Sequence, residues 1–294
     1  MSWSEVWSYD FMRNALISAT ILGPTCALLG VFVTLRGMSF FSDALAHSAV
    51  TGIALGFLLE ERFGWSIDPM VVVFIFTTVL GLIMAKLSQG DLLRPDTIIA
   101  FTFSGSVALG VVIIAMLGKY RLLDGILFGS IYANDARSIT YQVLLALVVF
   151  GFIGFNLRRL TQMTLNTELA RIQGTRTLLL HYAFTLLVSA TVVVSLKMLG
   201  ALLLGALIVV PAAVGKVVAQ SFRSMLLIAL ICGFIAPWNG VWASVQFDLP
   251  TGPSIVLSAI LLLIFAYIWQ GLITKIIPKW PASAGSNDPR RKHL

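Results

Sequence analysis

The sequence predicts an all-α, polytopic membrane protein with about nine transmembrane helices, eight or ten being the alternative counts, and three observations carry that prediction. Apolar residues make up 58% of the 294-residue chain and charged residues only 11%, whereas a soluble domain carries about a quarter charged residues. The mean hydropathy is +0.94. The apolar residues also fall in runs long enough to cross a hydrocarbon layer, which takes roughly 20 residues of helix. The length alone would suit two soluble domains, but the runs follow one another closely. One membrane domain over residues 1–280 is expected, followed by a polar, basic and disordered tail over 281–294.

The first run covers 12–35. No basic stretch precedes it and no small-residue cleavage site follows, so it reads as a retained helix, not a leader. Further runs lie near 40–59, 69–88 and 97–117. Leu122 to Ile131 is apolar but too short to cross, and a re-entrant or broken helix is expected there. The remaining runs lie near 139–157, 178–197, 200–217, 225–245 and 253–275. Trp3, Trp7, Trp65, Trp238, Trp242, Trp269 and Trp280 fall mostly near the ends of these runs, as aromatic belts do. Cys26 and Cys232 each lie inside an apolar run and read as small buried hydrophobes, not as a disulfide or thiolate metal site.

Nine spans put the termini on opposite sides. With the C-terminus inside, fourteen of the twenty Lys and Arg residues fall on the inner side, among them Arg36, Lys86, Arg94, Arg158, Arg159, Arg176, Lys216 and Arg223. Glu5, Asp10, Glu60, Glu61, Asp68 and Asp248 then fall outside. The positive-inside bias favours an external N-terminus and a cytoplasmic C-terminus. The net charge of +7 is therefore a topology signal and is not read as nucleic-acid binding. The basic tail suits anionic lipid headgroups.

Inside the second run, Asp43 and His47 stand four residues apart and share one face of a helix. An ionisable group in a membrane-spanning segment costs a few kcal/mol, so something must compensate it. A divalent cation would, because a carboxylate oxygen and a neutral imidazole nitrogen are both good first-row metal ligands. The same spacing also suits a hydrogen-bonded pair that sets helix packing. Thr51 continues the row and offers a third oxygen. The adjacent row, Ala44, Ser48, Gly52 and Gly56, is a small-residue stripe that admits another helix at close range.

The longest inner break, Arg158 to Thr177, holds a short helical stretch from Asn166 to Gln173, ended by Gly174. Asn166 would cap it, or Thr167, and Glu168 sits near the positive end of its dipole. It reads either as a surface linker or, because Leu165, Leu169 and Ile172 would be exposed on it, as a docking element for a soluble partner.

These residues resemble the membrane permease subunits of manganese- and zinc-importing ABC transporters. The resemblance rests on LRGMSFFSDALAHSAVTGIALGFLL (Leu35–Leu59), LNTELARIQGTRT (Leu165–Thr177) and MLGALLLGALIVVPAAVGKVV (Met198–Val218), in order across most of the chain. The first segment is the specific one, an arginine-containing turn followed by Asp-Ala-x-x-His and a glycine-rich helix. Ser42 stands where many relatives have Gly, a mild departure that leaves the site in place. The chain is also distantly similar to cobalamin and siderophore permeases, relative to which it lacks the first of ten spans.

The resemblance implies a paired permease core made of two copies or of two related chains, two cytoplasmic ATPase subunits and an extracytoplasmic metal-binding protein, in a bacterial-type inner membrane. It implies that Asp43 and His47 line the route of a divalent ion, manganese or zinc and possibly iron. Leu165, Glu168, Leu169, Arg171, Ile172 and Gly174 carry over as the coupling helix that docks on the ATPase. No permanently bound cofactor is implied, since the metal is cargo.

Two copies about a two-fold axis would bring two carboxylates and two imidazoles to one ion. The chain has no GxxxxGK[ST] loop; its nearest text, Val210 to Val217 (VPAAVGKV), lacks the leading Gly and the Ser or Thr. ATP hydrolysis is therefore expected on a separate subunit, and this chain is expected to be no enzyme. An ion-coupled secondary metal carrier is the alternative, but no second Asp-x-x-x-His half is present. A zinc protease would want HExxH, which is absent. His181 is expected to make an interfacial hydrogen bond and His293 to be solvated. Nearby thiolates are lacking, which argues against copper(I). Glu60, Glu61 and Asp68 read as a solvated outer loop, with docking of the delivering protein as the second reading.

Overall fold

The computed structural model describes residues 10–65, 67–88, 93–119, 135–174 and 177–276, and these form ten helices without strands. They are α1 (Asp10–Leu35), α2 (Phe41–Phe63), α3 (Pro69–Leu87), α4 (Pro95–Leu117), α5 (Ala136–Leu165), α6 (Thr167–Ile172), α7 (Thr177–Leu199), α8 (Ala201–Val218), α9 (Phe222–Phe247) and α10 (Thr251–Ile276). Among the described residues, eight are long and apolar enough to cross a membrane, all but α6 and α8. The ninth expected span, α8, is apolar but only 18 residues long, about 27 Å of helix. The expected re-entrant stretch at Leu122–Ile131, the tail from 281, and Trp3, Trp7, Trp280 and His293 lie outside the described residues.

The boundaries follow from local chemistry. Pro69 and Pro95 occupy first turns, where a missing N–H costs nothing. The Asp68 carboxylate accepts from the Met70 amide at 2.9 Å, Asp135 accepts from the Ser138 amide at 3.1 Å, and Ser221 and Ser224 close a capping box on α9. Gly64 and Gly118 end α2 and α4 in the left-handed region. One boundary differs from expectation. The fifth span does not stop near 157; α5 runs on to Leu165 because the polar stretch contains no breaker. The Thr161 and Thr164 hydroxyls donate back to the Leu157 and Leu160 carbonyls, both at 2.7 Å.

The centre of the bundle is α1 with α5, α8 and α9 around it. Close approach there is set by glycine. A Cβ at Gly30 would fall on the Ile208 carbonyl of α8, and one at Gly233 would lie 2.6 Å from the Ala27 Cβ of α1. Trp238 departs from the interface reading. It sits within α9 and its indole N–H donates to Thr20 Oγ1 at 3.0 Å, tying α9 to α1. Cys26 is fully buried and Cys232 nearly so, both free, as the sequence suggests.

Arg36, Ser88, Pro95, Thr164, Glu168 and Thr177 line one cavity, so the ends of α1, α3 and α5 and the starts of α4, α6 and α7 lie at the same end of the bundle. At the opposite end, Lys119 reaches Glu61 at 3.5 Å and stands 4.8 Å over the Phe57 ring. The chain therefore threads back and forth between these two ends.

Candidate functional site

The site is built on the turn that leads into α2. Leu35 closes α1, and Gly37, at φ +68°, reverses the chain. Its amide donates to the Thr34 carbonyl at 3.2 Å and that of Met38 to the Val33 carbonyl at 3.1 Å, the paired bonds of a Schellman motif. Phe40 then starts α2 without a side-chain cap. Asp43 lies in the first turn, where the unpaired amides and the helix dipole favour a carboxylate.

Asp43 and His47 are both half-buried and close enough to interact electrostatically, so the shared face read from their spacing is real. Each has a different neighbour. Asp43 leans on α8 at Gly205, where an added Cβ would lie 2.9 Å from Asp43 Cγ and closer still to Oδ1. Only a residue without a side chain admits the carboxylate there. The His47 ring meets the edge of the Phe103 ring of α4, with centroids 5.1 Å apart and planes at 86°. The imidazole is thus held by an apolar wall that leaves its nitrogens unspent on that ring.

Two features of the sequence reading change. Thr51 is no third ligand: it is fully buried and its hydroxyl donates to the Ser106 carbonyl of α4, with Gly110 packed against it. The small-residue stripe is used within the chain. Added Cβ atoms at Gly52 and Gly56 would meet Val73 Cα at 2.8 Å and Pro69 Cα at 3.2 Å, so the stripe seats α3. Among the described residues no three His, Cys, Asp or Glu side chains gather as a metal-binding group. One chain brings an acid and an imidazole to one face of α2.

The segment around α6 folds as a short capped helix, as its residues suggest. Asn166 Oδ1 accepts from the amides of Glu168 at 3.1 Å and Leu169 at 3.0 Å, capping α6, and Gly174, at φ +76°, follows its end. Leu165, Leu169 and Ile172 are 77%, 54% and 82% exposed, while Ala170 anchors the opposite face. Glu168 is exposed as well. Arg171 belongs to the helix, and its side chain lies outside the described ones.

A second cluster escaped the sequence reading. Arg36 Nε donates to Thr164 Oγ1 at 3.2 Å, and the guanidinium carbon stands 4.5 Å from the centre of the Phe184 ring of α7. Nη1 and Nη2 are buried and have no hydrogen-bond partner among the described residues. Burial pulls the Arg36 pKa down to about 10, which still leaves it charged at neutral pH. His181 shares the cavity. Its ring bonds to the Ala85 backbone, as an interfacial histidine should, and its Nε2 is buried without a partner. The cavity has a volume of about 380 Å³. No spacing in the sequence announces this cluster, because Arg36 and Thr164 are 128 residues apart.

Residues 8–270 match the ABC 3 transport family. The chain is 28% identical over 259 residues to the manganese import system permease protein ScaB of Streptococcus gordonii, covering 88% of this chain and 91% of that one. It is 28% identical over 259 residues to the high-affinity zinc uptake system membrane protein ZnuB of Haemophilus influenzae, covering 88% and 97%. Among solved structures, it superposes on PsaBC from Streptococcus pneumoniae in complex with Fab with a TM-score of 0.80 and 26% identity, over 93% of this chain and 97% of that one.

Proposed function

The chain belongs to the ABC 3 transport family, and from that membership we propose that it passes divalent first-row metal ions, manganese or zinc in class, through the membrane as the permease of an ATP-driven importer. The observation that carries this reading is the match over residues 8–270, with Asp43 and His47 on one face of a helix inside it. The metal is inferred from the relatives, whose names give manganese import and zinc uptake.

The proposed route runs past Asp43 and His47. A single chain supplies one oxygen ligand and one nitrogen ligand, so a second copy or a related chain completes the set about a shared axis. Two facing carboxylates repel each other when empty, and a 2+ ion relieves that repulsion. Half-buried side chains hold an ion less tightly than a closed, four-ligand structural site does, and release is as necessary as capture. The Gly205 contact keeps the Asp43 carboxylate in one place while leaving it reachable.

Energy enters from ATPase subunits that dock on the exposed apolar face of α6, with Leu165, Leu169 and Ile172 in contact and Glu168, Arg171 and Gly174 shaping the helix. A rocking of two permeases then alternates access to the ion. In this reading the N-terminus faces outward, the C-terminus and α6 face the cytoplasm, and an extracytoplasmic metal-binding protein delivers the ion. No resident cofactor takes part.

The test is uptake of radioactive manganese or zinc by cells carrying the chain with its ATPase. Asp43→Asn and His47→Ala should each abolish uptake while the permease still copurifies with the ATPase. Unchanged uptake in both variants would remove the ion from this face of α2.

A further inference from the structure

The buried guanidinium of Arg36 is the charge in this chain that local packing leaves least satisfied. Its Nε is committed to Thr164 Oγ1, which itself donates to the Leu160 carbonyl, so the Thr164 hydroxyl has its orientation fixed. The Phe184 ring lies against its face, and Phe184 in turn packs edge-on to Phe32 of α1 with centroids 6.1 Å apart. The outer pair of nitrogens, Nη1 and Nη2, is withdrawn from solvent and unpaired. Leaving a charged donor pair in that condition is costly, so a partner arrives in some state of the molecule.

The same cavity names the partner. Glu168 is the single acid that lines it, and no ion pair joins Glu168 to Arg36 among the described residues. Glu168 sits on α6, one turn of chain beyond Thr164, and is exposed. A carboxylate and the free edge of a guanidinium are complementary in charge and in planar two-pronged geometry. Both residues line the same cavity, whose volume is about 380 Å³.

Arg36 also stands immediately before the turn that sets α2. The chain passes from Arg36 through Gly37 and its two backbone bonds to Phe41, and Asp43 follows in the first turn of α2. Such a short, hydrogen-bonded connection transmits displacement instead of absorbing it.

We propose that Arg36 is a positioning residue: when α6 is driven toward the bundle, the Glu168 carboxylate closes on Nη1 and Nη2, and the displacement passes through the Gly37 turn into the first turn of α2, moving Asp43. This rests on the transport reading above and adds to it the mechanical link between the docking helix and the ion ligands. Arg36 touches neither ion nor nucleotide; it acts through Asp43.

The experiment uses the permease–ATPase complex reconstituted in vesicles, with manganese(II) as the probe, and measures ions moved per ATP hydrolysed together with hydrolysis rate and melting temperature. Arg36→Gln should lower the ratio about tenfold, a typical coupling effect, while hydrolysis and melting temperature stay near those of the unmodified complex, and Glu168→Gln should lower the ratio by a similar factor. The double exchange Arg36→Glu with Glu168→Arg should recover a substantial part of the ratio. A purely structural Arg36 would lower melting temperature, hydrolysis and uptake together, and the exchange would rescue none of them; that result overturns the proposal. If Arg36→Gln fails to assemble, spin labels on Ser88 and Thr167, both lining the cavity, report its closure with Arg36 intact. Their separation should shorten on ATP binding and should not do so in Glu168→Gln. Equal shortening in both overturns the link. If the unmodified complex moves manganese while Glu168→Gln keeps the normal ratio, only the Arg36 link falls; if the unmodified complex moves neither manganese nor zinc, the transport reading falls and takes the link with it.

Discussion

Helices α2 and α10 are of similar length, 23 and 26 residues, and hydropathy alone marks both as spans. Their surroundings are opposite. In α2, 67% of the most apolar window is buried inside the bundle; in α10 the share is 17%. Yet α2 is the less hydropathic of the two. In a soluble protein that ordering would be perverse. In lipid it is natural, because the tails outside are as apolar as any core and give no reason to put leucine inside. What marks α2 as interior is small residues and hydroxyls. Gly52 and Gly56 bring α3 against α2, and Thr51 spends its hydroxyl on an α4 carbonyl. On α10, Leu257, Leu261 and Phe265 are 58%, 65% and 64% exposed.

The contrast can be broken at Gly110. A side chain there meets Thr51 Oγ1 at 2.7 Å and the Thr51 amide at 2.9 Å, so α2 and α4 would have to part. Gly110→Leu should destabilise the chain by about 3 kcal/mol or more, the upper end of overpacking effects, and thermal melting in detergent will show it. A smaller and more selective effect is expected at Gly205. Gly205→Ala displaces the Asp43 carboxylate, whose half-buried end can swing aside; uptake should fall about tenfold while melting shifts far less than for Gly110→Leu. A melting shift as large as that of Gly110→Leu would make position 205 a packing site only. Asn166→Ala removes the acceptor of two α6 amides and should cost about 1 kcal/mol locally, read as faster hydrogen exchange at Glu168 and Leu169. At the outer extreme, Leu261→Ala should stay within about 0.5 kcal/mol. A large loss there would mean that this stretch of α10 faces protein, not lipid.

Much of the fold was legible because lipid imposes a length rule, and each apolar run of roughly 20 residues became a helix. The end of α5 was misjudged because hydropathy reports where a helix leaves the membrane and not where it stops. Arg158 to Thr164 has turned polar but contains no breaker. The Asp43–His47 face and the Asn166 cap were legible because both are set by spacing inside one helix. The fate of Thr51 was not, since the acceptor that claims its hydroxyl lies on another helix, 55 residues away. The Arg36 cluster was hidden for the same reason. It draws on α5, α6 and α7 at once, and a sequence pattern records neighbours only along one helix.

Glycine has a further consequence at position 205. Every single-base change in a glycine codon that replaces glycine by another amino acid installs a carbon atom where the Asp43 carboxylate now rests. The acid can therefore be disabled without any change to its own codon. A screen for lost transport that inspects acids and histidines alone would pass over such alleles, and a strain carrying one would look, by its proposed ligand residues, fully intact.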